Sequence, residues 1–101
     1  MFRGTTPTFQ IELPSNINVA DIDVAYLSFE EFSTKLIEKE LSDMSIDTDA
    51  NTLTVILTQE ETLLLQSGTV SYQLRFGIGG SKYATQIWQI PAERIIKDGE
   101  I

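Results

Sequence analysis

Residues 69–78 alternate without a break. Val70, Tyr72, Leu74, Phe76 and Ile78 are apolar, and Ser71, Gln73, Arg75 and Gly77 between them are polar or small. A side-chain period of two belongs to a strand with one dry face, because a helix would scatter those five residues around its axis. The same period recurs at 8–13, with Phe9, Ile11 and Leu13, and at 52–58, where Leu53, Val55 and Leu57 alternate with Thr52, Thr54 and Thr58. Residues 24–32 are rich in strand formers, with Leu27 and Phe29 as the inward pair. Two further runs leave their inward face open. In 34–41 it is either Leu36 or Ile37 with Leu41. In 82–90 it is Tyr83, Thr85 and Ile87 or Ala84, Trp88 and Ile90, and we take Trp88 to face inward.

Turn residues separate these runs. Pro14-Ser15-Asn16 closes the first, Asp47 to Asn51 precedes Thr52, and Gly77-Ile78-Gly79-Gly80-Ser81 joins the last two, where glycine supplies the positive φ of a tight hairpin. One helix is expected at 59–66. Thr58 can cap it, Glu61 three residues on completes a capping box, and Ser67-Gly68 ends it. Six or seven short strands at a spacing of roughly 8–12 residues, with one helical corner, predict an all-β sandwich. At 101 residues the chain makes one domain, 1–101.

Cysteine and histidine are both absent, which removes disulfides, thiol nucleophiles, zinc fingers and imidazole bases together. Asp47-Thr48-Asp49-Ala50-Asn51 begins like a calcium loop, but its sixth and twelfth positions, which need Gly and Glu, are Thr52 and Thr58. A turn held by Asp and Asn is the better account. Gly77 to Lys82 has no Gly-Lys pair and runs into a β pattern, so it reads as a hairpin and not a phosphate loop. Glu38 and Glu40 share a strand face about 7 Å apart, yet Lys35 and Lys39 lie alongside and a solvated face explains them. Glu30 and Glu31 are adjacent, so in a strand they point to opposite sides. No nucleophile has an evident base. We expect no enzyme, cofactor or metal site.

The net charge of −8 argues against binding a phosphate backbone, and no apolar run approaches the ~20 residues of a membrane helix. The first seven residues lack the features of a targeting segment. Charge is uneven. Nine acids between 30 and 62 face only Lys35 and Lys39, whereas Arg75, Lys82, Arg94 and Lys97 face Glu93 alone in 69–97. That polarity suits either solvated loops or head-to-tail docking of one copy on the next.

Leu65-Gln66-Ser67-Gly68-Thr69, leading into the strand with Tyr72, resembles the corner between the fifth and sixth strands of immunoglobulin and fibronectin sandwiches. Ser71 stands where the fibronectin pattern has its tyrosine. Over nearly the whole chain, residues 1–9, Glu38 to Asp43, Thr54 to Thr62 and Gly68 to Phe76 resemble short proteins encoded in prophages of Gram-positive gut bacteria, among phage structural genes. The pattern is also distantly similar to the immunoglobulin-like N-terminal domain of phage baseplate upper proteins. The resemblance implies an immunoglobulin-like β-sandwich that works as a structural or assembly module in a tail or baseplate. It implies a virion location after synthesis in the host cytoplasm, and other phage structural proteins as partners. It carries over no catalytic residue.

Contacts are expected at Gln73 and Arg75, on the face opposite the core, and at the termini. Ile95, Ile96 and Ile101 crowd the last seven residues, where free ends are usually polar. A homo-oligomer that buries them is the expectation. Two other functions fit the composition. A carbohydrate-binding sandwich would need Tyr26, Tyr72, Tyr83 or Trp88 exposed as a flat patch, and an acidic inhibitor of a nucleic-acid enzyme would act through the middle segment.

Overall fold

The computed structural model describes residues 1–101, and most of its strands fall where the alternation places them. They are β1 (Thr8–Glu12), β2 (Val24–Glu31), β3 (Thr34–Glu40), β4 (Ser45–Asp47), β5 (Thr52–Ile56), β6 (Thr69–Ile78), β7 (Ser81–Ala84) and β8 (Trp88–Pro91), with one helix, α1 (Gln59–Leu63). The eight strands exceed the six or seven expected because 82–90 divides and because β4 is new. Three exposed residues are too few to show a period.

All pairings between strands are antiparallel. One sheet runs β1-β5-β4, and the other runs β3-β2-β6 with β7 and β8 both on the far side of β6. The order is that of an immunoglobulin-like sandwich whose first strand is missing. β1, β5 and β4 stand as B, E and D, while β3, β2, β6 and the broken β7/β8 stand as C′, C, F and G. Residues ahead of β1 do not supply the missing strand. They run instead beside the chain after β8, with a parallel bridge between Phe2 and Glu93.

Between the sheets, Leu53, Val55 and Leu57 are buried with Leu74 and Phe76, as the alternation requires. Aromatic rings cross the same gap. Phe9 from the small sheet meets Phe29 edge-on at 5.0 Å and Tyr72 at 5.1 Å, and Tyr72 stacks on Phe29 at 5.4 Å. Trp88 lies 5.3 Å beyond Tyr72. Each such pair adds about 0.5–1.5 kcal/mol to the burial itself.

Both strands with an undecided face carry a bulge. In β3, Phe29 pairs with Ile37 but Glu30 with Lys35, so Leu36 is the extra residue; Ile37 is buried and Leu36 half-buried. Opposite β6, Arg75 pairs with Ala84 and Tyr72 with Trp88, so three residues, 85–87, face two, 73–74. The slip reverses which parity points inward. Tyr83 stacks on Phe76 at 5.2 Å, and Trp88 and Ile90 pack on the core farther along the same edge. Thr85 bridges the break. Its hydroxyl accepts from the Leu74 N–H at 3.1 Å, and its own N–H donates to the Leu74 carbonyl at 2.9 Å.

The helix has the expected cap. The Thr58 hydroxyl accepts from the Glu61 N–H at 3.1 Å, and the Glu61 carboxylate accepts from the Thr58 N–H at 2.8 Å. It ends at Leu63, three residues short of the expected 66. From there two side chains hold the backbone. Arg3 donates to the carbonyls of Leu63, at 3.1 Å, and Leu65. Glu31, only 1% exposed, accepts from the N–H groups of Gln66 and, at 2.8 Å, Gly68.

Candidate interaction surface

The residues expected to make contacts do not come together. Gln73 is half-buried, and its amide donates to the Thr85 carbonyl at 2.8 Å, which steadies the bulge. Arg75 is exposed and makes no ion pair; it lines a shallow groove with Tyr26, Glu38, Glu40 and Lys82 on the outer face of the large sheet. There the Lys35 ammonium donates to Glu38 at 3.0 Å, and that bond, ahead of the charge itself, holds the exposed Glu38 carboxyl below its usual range. Ile95 is half-buried and lies close to Gly4 and Leu63, while Ile96 and Ile101 are almost wholly exposed. The tail thus folds back and covers one of its three isoleucines. Arg3 holds it through Asp98 at 3.4 Å.

A different surface stands out when the sheet edges are compared, since an uncovered edge offers unpaired N–H and C=O groups to any strand that comes alongside. β3 guards its edge with Lys35, Glu38, the inward Lys39, Glu40 and its bulge. The β7/β8 edge has the second bulge and ends at Pro91. β4 has three residues. β1 is guarded less: no bulge interrupts its five residues, Thr8, Phe9, Gln10 and Ile11 are uncharged, and its prolines and its one charge, Glu12, lie only at or beyond its ends.

The free groups of β1 follow from its ladder. Leu57 N–H donates to the Pro7 carbonyl at 3.1 Å, and Leu13 N–H to the Asn51 carbonyl at 3.0 Å. In an antiparallel pair, hydrogen-bonded positions alternate. Phe9 and Ile11 therefore bond to β5, and Thr8, Gln10 and Glu12 aim their N–H and C=O at the open edge. Beside the end of this edge an apolar cleft opens between the sheets. Leu13 and Ile17 form one wall, and Phe76, Tyr83 and Trp88 the other. It lies where the missing first strand would begin.

Sequence reading overlooked this edge. Its signal was present as an alternating run between Pro7 and Pro14 with the single charge of Glu12 near its end, but no periodicity reveals which strand lacks a neighbour. Elsewhere the chemistry is local. The Asp47 carboxylate accepts from the N–H groups of Asp49 and Ala50, at 3.0 and 3.1 Å, and so forms the expected turn. No family model matches the chain, and no curated protein matches it.

Proposed function

We propose that the chain is a non-catalytic structural module of the phage tail or baseplate kind, which works among other phage structural proteins and assembles by accepting a strand at β1. The observation that carries this reading is the open β1 edge beside an apolar cleft. Of the sheet edges it alone combines five paired residues with no bulge and no charge before the last of them, which supports a docking role. The phage setting, with a virion location, rests on the likeness of residues 1–9, 38–43, 54–62 and 68–76 to prophage-encoded proteins.

A sugar-binding face would have to use Tyr26 and Tyr83, which are exposed and line the groove beside Arg75. Trp88 packs toward Tyr72 and Tyr83 stacks on Phe76, so the four aromatics do not share one patch. The test is direct. Particles released from a lysogen that carries the gene are purified and their proteins quantified by mass spectrometry. The chain should be present in a fixed ratio to the tail proteins. Infectious particles that lack it would overturn the assignment.

A further inference from the structure

We infer that the strand accepted at β1 is β1 of a second copy, paired antiparallel about a two-fold axis through Gln10. The inference rests on β1 being the docking edge and names its occupant. Self-pairing requires a register in which the free groups meet. With Gln10 opposite its own counterpart, Thr8 faces Glu12 of the second copy and Glu12 faces Thr8, so each outward N–H finds an outward carbonyl. A slip of one residue would aim these groups at Phe9 and Ile11, which already bond to β5. A slip of two leaves one end of each strand unpaired, and a slip of four in one direction sets Glu12 against Glu12.

The side chains favour the same register. Phe9 and Ile11 become opposite partners in the closely spaced pairs, where an aromatic and a β-branched side chain pack well. On the outer face, no like charges are opposed. Pro7 and Pro14 flank the segment, so the self-matching five residues are also the length available for regular pairing. Because the contact uses the same patch on both copies, it closes as a dimer and does not propagate as a fibre.

The exposed Ile96 and Ile101 mark the tail as the competing contact. Gln10 is exposed on the outer face of β1, so substitutions there leave the core intact. Light scattering on wild type, Gln10→Lys, Gln10→Glu and Ile96→Asp at high micromolar concentration separates the two accounts, with thermal melts to verify folding. Wild type and Ile96→Asp should show twice the 11.3 kDa chain mass. Each Gln10 variant sets like charges opposite one another on the axis and should be monomeric. An equimolar mixture of the two variants pairs an ammonium with a carboxylate and should return to the dimer mass.

A monomeric wild type overturns the inference. So do Gln10 variants that dimerise individually as wild type does, or an Ile96→Asp chain that alone loses the dimer. Those failures are distinct from failure of the assembly role, which is read from the composition of particles and not from mass in solution.

Discussion

Glu31 and Arg3 do for the corner after α1 what a helix cannot do for its own end. A helix terminus leaves carbonyls without partners, and the turn that follows leaves N–H groups. Arg3 takes two of the first kind and Glu31 two of the second. Many sandwiches satisfy this corner with a tyrosine hydroxyl on the next strand. Here Ser71 stands in that place and Tyr72 points inward among rings, where burial pushes its phenol pKa up. Replacing Glu31 by Ala strands two backbone donors at a cost of about 1–3 kcal/mol each. Urea unfolding should place Glu31→Ala roughly 2–6 kcal/mol below wild type, with Glu31→Gln in between because its amide oxygen can still accept. A Glu31→Ala chain within about 0.5 kcal/mol of wild type would show that the corner stands without it. The inward pair Leu27 and Phe29 already puts Glu31, and not Glu30, on the inner face by the same period of two. What the sequence did not reveal is which backbone N–H groups an inward carboxylate would hold.

Between elements, one ion pair ties β3 to α1. Lys39 comes from the core side of β3 and meets Glu61 at 2.7 Å. Burial pushes the Glu61 carboxyl up, but hydrogen bonds from Lys39 and the Thr58 N–H, with the nearby ammonium, outweigh it and leave the carboxyl below the ordinary range. A lowered pKa in the folded state stabilises above the unfolded value of about 4.3 and ceases to do so as pH falls through the folded value. The stability difference between wild type and Lys39→Met should therefore be present at pH 7 and shrink below about pH 4. In Lys39→Met, an NMR titration should find the Glu61 midpoint raised. A midpoint unmoved by that change would mean that Lys39 has no hold on the carboxyl.

Elements were legible where pattern and local chemistry agreed. The ten residues of β6, the capping box at Thr58 and the Gly79-Gly80 hairpin, with Gly79 at φ 59°, all announce themselves. The two undecided faces were those of the two bulged strands, where an extra residue lets both parities point inward. The β2–β3 turn was silent for another reason. Phe32 and Ser33 take φ of 53° and 63° without the Gly or Asn that usually marks such a turn.

For the molecule as a whole, stability depends on joining a three-stranded sheet to a larger one. Leu74 sits at that junction, fully buried in the middle of β6. Leu74→Ala should cost about 2–5 kcal/mol and lower the denaturant midpoint accordingly. A midpoint near that of wild type would mean that the two sheets are held together elsewhere. The same architecture places the sole tryptophan at an informative position. Trp88 touches the ring cluster through Tyr72 and also lines the cleft at the end of the β1 edge. Its indole is half-buried, so its emission wavelength depends on how much water reaches it. One intrinsic fluorophore thus reads two events without a label: a red shift when the sheets part, and a blue shift when a strand covers the cleft beside it.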